Sequence, residues 1–113
     1  MSVILASTSR IRRNMLEAAG LEIAVQSPDV DEAEIKMRER LGPRHLAVRL
    51  AAAKALALSR ELVGGSLVVG ADQVLAIGDL ILDKPHDSAQ AREHLRLLRG
   101  RTHILHTALA SAR

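Results

Sequence analysis

The chain has 113 residues and a formal charge of +3, from 16 Lys and Arg against 13 Asp and Glu. This length predicts a single domain over residues 1–113, and 48% hydrophobic with 26% charged residues excludes a disordered chain. The lack of cysteine excludes disulfides and thiolate metal sites, and the lack of aromatic residues disfavours nucleic acid as a partner. Without a long apolar run or a signal peptide, we expect a cytoplasmic protein with no membrane partner.

The first half of the chain predicts strands and helices in alternation. A strand over residues 1–6 precedes a helix whose apolar stripe begins with Ile11, Met15 and Leu16. Gly20 is placed to end that helix, and alternating apolar residues predict a second strand over 21–26. An acidic turn at 29–32 leads into a charged helix, and Pro43 opens a long Ala/Leu-rich helix to about Val63.

The second half predicts a strand, a hairpin, a helix and a final strand. The strand over 66–70 is expected to end at Ala71-Asp72-Gln73, and strands 74–77 and 80–82 flank a Gly78-Asp79 turn. Ser88 is expected to cap a helix to about Arg99, with Ala91, Leu95 and Leu98 facing inward, before a strand over 102–109. This order predicts an α/β fold, with a mixed sheet flanked by helices.

The junction between the first strand and the first helix is rich in hydrogen-bond donors. Residues 5–13 read Leu-Ala-Ser-Thr-Ser-Arg-Ile-Arg-Arg, so three hydroxyls and three guanidinium groups surround a helix N-terminus. Unpaired amides and the helix dipole attract anions there, which favours a phosphate-bearing ligand. In a purely structural interpretation, Ser9 is an N-cap and Arg12 and Arg13 form a solvated helix face.

Four charged residues are candidates for chemistry at this site. Asp72 is expected at the carboxyl end of a strand, where it could accept a proton from water or hold a divalent cation. Glu32 could supply a second carboxylate, while Lys54 and Lys84 could contact phosphate. The structural alternatives are a turn cap for Asp72, a first-turn helix residue for Glu32, and solvated or snorkelling lysines.

Taken together, these segments resemble the Maf family of nucleoside triphosphate pyrophosphatases. Six motifs occur in the family's order: Leu5-Ala6-Ser7-Thr8-Ser9 with Arg12-Arg13, Ser27-Pro28-Asp29-Val30-Asp31-Glu32, Ala53-Lys54-Ala55, Gly70-Ala71-Asp72-Gln73-Val74, Asp83-Lys84-Pro85, and Leu98-Arg99-Gly100-Arg101-Thr102-His103. Each motif is weak alone, but six in order are specific, and they extend over the whole chain. The resemblance implies a Maf/ITPase-like sheet.

The resemblance also implies a reaction and a set of site residues. A nucleoside triphosphate would be hydrolysed to the monophosphate and pyrophosphate with Mg²⁺ or Mn²⁺. Asp72 would accept the proton of the attacking water, and Glu32 would assist with metal or water, so both are candidate metal ligands. Phosphate and substrate contacts are implied for the remaining positions: Ser7, Ser9, Ile11, Arg12, Arg13, Lys54, Gln73 and Lys84.

Substrate and completeness are further expectations from the same resemblance. Gln73 is typical of the branch that acts on 7-methyl-GTP, whereas members acting on dTTP and UTP usually have threonine there. That branch often has an aromatic residue where this chain has Ile11. Family members are longer, so we expect an N-terminal portion of the full fold, with an exposed strand edge that favours a homodimer or poor solubility. The alternatives are a nucleotide-binding or dimerising fragment without turnover, and a small RNA-binding domain.

Overall fold

The computed structural model describes residues 3–62 and 65–113. The predicted first residues of the opening strand and the predicted helix end at Val63 lie outside these ranges. The elements, in chain order, are β1 (Val3–Ala6), α1 (Arg10–Ala18), β2 (Ile23–Gln26), α2 (Glu32–Glu39), α3 (Pro43–Glu61), β3 (Leu67–Ile77), β4 (Leu80–Leu82), α4 (Ser88–Leu98) and β5 (Ile104–Ala112).

The strands form one mixed five-stranded sheet, which confirms the predicted α/β fold. β1 lies between β2 and β3 and runs parallel to both. β4 and β5 both pair antiparallel with β3, β4 through a short ladder and β5 from Val68 to Ala76 of β3. Since the carboxyl ends of β1, β2 and the first part of β3 meet at one edge, the loops that follow them lie together.

β3 is one continuous strand, which corrects two predictions. The strand does not end at Ala71-Asp72-Gln73, and no separate strand begins at Val74, because β5 pairs with β3 through this whole segment. The parallel ladder with β1 does stop at Gly70. Asp72 therefore lies within a strand, just beyond the edge where the parallel pairing ends, instead of at the strand's carboxyl end.

The core forms where α3 packs on one face of β3 and β5. Alternate β3 residues from Val68 to Ala76 point to this face and are buried, as the period of a strand requires. Leu50 and Leu58 of α3 are 2% and 1% exposed against them. The helix also approaches the strand closely at Gly70, where a Cβ atom would overlap the Ala51 carbonyl oxygen and lie 2.8 Å from the Ala55 nitrogen.

Three further details of the helices and the last strand differ from prediction. Within the described residues α4 buries no side chain, and Leu95, predicted to face inward, is 66% exposed, while Ala91 and Leu98 are half-buried. The stripe of α1 is likewise covered only in part, with Ile11 and Met15 73% and 66% exposed. The cap of α4 is Asp87 and not Ser88, since Asp87 accepts from the Gln90 amide. β5 runs to Ala112, beyond the predicted end at 109.

Within the described ranges β5 pairs with β3 alone, so its outer edge lies at the border of the sheet, and the predicted homodimer stays a prediction. In the same ranges no helix is long and apolar enough to cross a bilayer.

The contact at Gly70 generates a prediction about stability. Gly70→Ala should lower the free energy of unfolding by about 1–3 kcal/mol or more, because the added methyl meets backbone atoms that cannot rotate away. Urea denaturation followed by circular dichroism measures this. Gly65→Ala is the matched control, since a Cβ there meets no described atom within 4 Å. Equal effects of the two changes would contradict the packing argument.

The N-terminal cap of α1 gives a second prediction about stability. The Ser9 hydroxyl oxygen accepts from the Arg12 amide at 3.2 Å, so Ser9→Ala should cost about 1 kcal/mol of unfolding free energy. Ser88→Ala, at the first position of α4 but outside its cap, should cost less. The same denaturation experiment compares them, and a Ser9→Ala protein as stable as the parent would show that the cap is energetically unimportant.

Candidate active site

The loop between β1 and α1 is held by its own hydroxyl groups. Ser7 is 6% exposed, and its Oγ accepts from the Ser9 amide at 2.9 Å. Ser9 Oγ in turn accepts from the Arg12 amide. In both bonds the hydroxyl acts as acceptor, so each O–H remains a donor that can turn toward a ligand. The sequence thus builds a fixed loop whose hydroxyls face the sheet edge.

Arg12 connects this loop to the central strand. Its Nη1 donates to the Ala71 carbonyl oxygen at 3.2 Å, directly before Asp72 in the chain. A guanidinium has five N–H donors, so this bond leaves the group able to bind an oxyanion with its other nitrogen atoms. Arg12 therefore holds α1 against β3 and directs positive charge to the sheet edge.

Lys54, Asp72 and Glu32 form a cluster of three charges, which we call the charge triad. Lys54 Nζ lies 2.8 Å from Asp72 Oδ1 and 3.2 Å from Glu32 Oε1. The side chains of Lys54 and Asp72 are 15% and 12% exposed, so water screens their attraction poorly, whereas Glu32 is 44% exposed. The triad joins α3, β3 and the first turn of α2, and its formal charge is negative.

A cavity of about 390 Å³ opens beside the triad. Its lining comes from four segments that follow or flank the sheet edge, and consists of Ala6, Ser7, Thr8, Ser9, Arg12, Ser27, Pro28, Val30, Glu32, Lys54 and Lys84. Arg12, Lys54 and Lys84 supply positive charge, and Glu32 is the carboxylate in the lining. Hydroxyls, cations and a helix N-terminus in one depression are the donors that a phosphate chain requires.

A second cavity, also of about 390 Å³, adjoins the first and contains Asp72 in its lining. The two share Arg12, Glu32, Lys54 and Lys84. At the rim, Lys36 Nζ lies 3.1 Å from Asp83 Oδ1, an exposed ion pair that joins α2 to the segment after β4. Lys84 follows Asp83 directly and makes no ion pair with any described residue, so its ammonium is available to a ligand.

The structure brings most of the predicted site residues together and separates three from the rest. Arg13 lies on the solvent side of α1 and pairs with Glu17 at 2.8 Å, outside both cavities. Ile11 is exposed and lines neither cavity. Gln73 borders the second cavity, but its side-chain amide donates to Thr107 Oγ1 on β5 at 3.1 Å, on the sheet face opposite to Asp72.

Several lining residues were not predicted from the sequence. Ser27, Pro28 and Val30 line the first cavity, and Lys36 with Asp83 borders the second. Two signals could have indicated some of them. Ser27 follows β2 as Ser7 follows β1, and parallel neighbours end at the same edge. Lys36 lies four residues after Glu32, on the same face of α2.

The donor set of the triad fits a divalent cation of the Mg²⁺ type. Asp72 and Glu32 provide two carboxylates that converge on one point, which is occupied by the Lys54 ammonium. Among the described residues no group of three His, Cys, Asp or Glu side chains could hold a metal. Mg²⁺ commonly uses one or two carboxylates and completes its shell with substrate phosphates and water, so two are sufficient.

Comparison with known proteins shows the family to which the chain belongs. A family model described as Maf-like protein matches residues 2–113. The chain is 46% identical over 112 residues to a nucleoside triphosphate pyrophosphatase of Hyphomonas neptunium, covering 96% of this chain and 56% of that protein. It is 39% identical over 116 residues to a 7-methyl-GTP pyrophosphatase of Brucella abortus, covering 100% of this chain and 58% of that protein. The chain thus spans little more than half the length of these relatives, and it belongs to the Maf family.

Proposed function

We propose that this chain forms the catalytic part of a nucleoside triphosphate pyrophosphatase. The observation that supports the proposal most directly is the position of Asp72, paired to Lys54 at 2.8 Å beside a cavity with cations and hydroxyls. A triphosphate in that cavity would place a phosphorus atom near a carboxylate. The relatives named nucleoside triphosphate pyrophosphatase support the same reaction.

In the proposed reaction Asp72 acts as the general base. In the free protein Lys54 binds Oδ1 of Asp72 and thereby orients the carboxylate. In the reaction Oδ2 of Asp72 accepts a proton from the attacking water. The water oxygen forms a bond to the α-phosphorus, and the bond from that phosphorus to the bridging oxygen breaks. The products are the nucleoside monophosphate and pyrophosphate, and the leaving pyrophosphate takes the negative charge of the broken bond.

The remaining residues bind and neutralise the phosphate chain. Ser7 and Ser9 donate hydroxyl hydrogens, and Arg12 and Lys84 offset charge that increases as pyrophosphate leaves. A divalent cation held by Asp72 and Glu32 would polarise the phosphoryl oxygens and help to neutralise them. Glu32 thereby has a role as metal ligand, and the requirement for Mg²⁺ or Mn²⁺ is part of the proposal.

A more specific proposal concerns the nucleobase of the substrate. Gln73 and the relatives named 7-methyl-GTP pyrophosphatase, from Brucella and Mesorhizobium, favour 7-methyl-GTP. The relatives with the more general name support other nucleoside triphosphates equally. A panel of 7-methyl-GTP, dTTP, UTP and CTP with Mg²⁺ or Mn²⁺ distinguishes these by released pyrophosphate. The cytoplasm, where nucleoside triphosphates are used, is the location that we propose.

A second candidate is a nucleotide-binding fragment without turnover, of which the predicted single domain would be one part. The observation that favours it is the length of the relatives, which are almost twice as long as the region that this chain matches. Nucleotide binding without pyrophosphate release, in a protein that circular dichroism shows to be folded, would support this candidate over the enzyme.

The base role of Asp72 gives a direct prediction. Asp72→Asn should lower kcat by about 100-fold or more, since the amide cannot accept the proton of water. Nucleotide affinity without a divalent cation should change little, because the amide oxygen can still accept from Lys54. Pyrophosphate release and calorimetric titration measure the two quantities.

Asp79→Asn is the matched control for this variant, since Asp79 lies in the exposed turn between β3 and β4. It should leave turnover unchanged. An Asp72→Asn protein with the turnover of the parent would exclude Asp72 as the base.

Lys84 provides a prediction about binding. Lys84→Met should weaken binding of a non-hydrolysable triphosphate roughly tenfold, because one charge-assisted contact to phosphate is lost. Lys84→Arg should restore most of the affinity, since the positive charge returns. Calorimetric titration tests this, and equal affinity of the parent and the Met variant would place Lys84 outside the phosphate site.

A further inference from the structure

The two carboxylates of the charge triad use the same ammonium group as their shared partner. Asp72 Oδ1 and Glu32 Oε1 lie 2.8 Å and 3.2 Å from Lys54 Nζ. Those oxygens are also the ones that converge on the point where a divalent cation would bind. An ammonium at hydrogen-bond distance fills that space, so the lysine and a metal ion cannot occupy it together.

Electrostatic repulsion also prevents the Lys54 ammonium and a metal ion from lying side by side. Lys54 and Asp72 are mostly buried, so a metal ion placed next to the ammonium would meet poorly screened repulsion. The two carboxylates in turn favour a cation between them, because two negative charges so close together repel each other and Asp72 is mostly buried. One cation at a time therefore satisfies the pair.

The Lys54 ammonium can bind a phosphate chain when it leaves the two carboxylates. Its side chain borders the first cavity together with Ser9, Arg12 and Lys84. Lysine is a compact charge on a flexible stem, so rotation of the stem can move the ammonium from the carboxylates toward a phosphate chain. The movement exchanges one favourable partner for another without exposing an unpaired charge.

We propose that the Lys54 ammonium occupies the place between Asp72 and Glu32 where a divalent cation would bind. When a divalent cation and a nucleotide bind, the ammonium moves from the carboxylates to a phosphate group. This rests on the proposed function, and it goes further by giving Lys54 two successive partners. A divalent cation then binds weakly to the protein alone, since it must displace the ammonium. A triphosphate favours the exchange, because it brings an alternative partner for Lys54.

Mn²⁺ affinity in the absence of nucleotide tests the exchange without relying on turnover. Lys54→Met removes the competing ammonium and leaves both carboxylates in place, so it should bind Mn²⁺ at least about tenfold more tightly than the parent. Arg60→Met is the matched control, because it removes one positive charge from the exposed last turn of α3, and Arg60 lines neither cavity. It should change Mn²⁺ affinity by no more than about twofold, since exposed charges are well screened by water.

A second measurement uses the parent protein, in case Lys54→Met does not fold. An amine-reactive reagent with detection by mass spectrometry should modify Lys54 faster at millimolar Mn²⁺, while Lys84 shows no such increase. Modification of Lys54 that is unchanged by Mn²⁺ would overturn the proposal. So would a folded Lys54→Met protein that binds Mn²⁺ no more tightly than the parent, or not at all.

The proposed reaction is judged separately from this exchange. A parent protein that releases no pyrophosphate from any nucleotide counts against the proposed function. The Mn²⁺ titration and the modification rates still decide whether Lys54 occupies the metal position, because neither depends on hydrolysis.

Discussion

The close contact between Gly70 and α3 is the constraint on which the site depends. Only a residue without a side chain permits the backbone of β3 to approach Ala51 and Ala55 so closely. The distance between α3 and β3 determines whether the Lys54 ammonium can reach Asp72, which lies two residues after Gly70 on the same face of the strand. The helix-to-sheet spacing, a property of the core, thereby fixes the geometry of the charged groups.

The site combines rigid and adjustable groups. The hydroxyl loop, the Arg12 contact to Ala71 and the buried Asp72 are fixed by hydrogen bonds or packing. Lys84 and Glu32 lie closer to solvent, and the ion pair of Lys36 with Asp83 at the rim contributes little stability, as exposed pairs do. The fixed groups of the site thus lie on a strand and at the start of α1, while the groups closer to solvent lie at the rim.

Local patterns predicted much of this molecule, and long-range contacts were harder to predict. The elements and the grouping of Ser7, Ser9 and Arg12 follow from periodicity and from one strand-to-helix junction. The continuity of β3 through Asp72 depends on pairing with β5, far along the chain, which a local apolar run cannot reveal. Leu95 of α4 was predicted to face inward and is exposed, because periodicity identifies an apolar face but not an element that covers it. Arg13 was predicted to share the site with Arg12, its neighbour in sequence, but adjacent residues of a helix point in different directions, so Arg13 lies outside both cavities.

The alternation of side chains along β3 separates two positions that are neighbours in sequence. Asp72 points to α3 and the charge triad, whereas Gln73 points to the opposite face of the sheet and bonds Thr107. Residues 73 and 107 form a cross-strand pair that can vary together without moving the carboxylate next to them. A protein engineer could therefore randomise that pair as a unit, leaving the charge triad untouched, and a lineage could diversify there while it keeps the geometry of the triad.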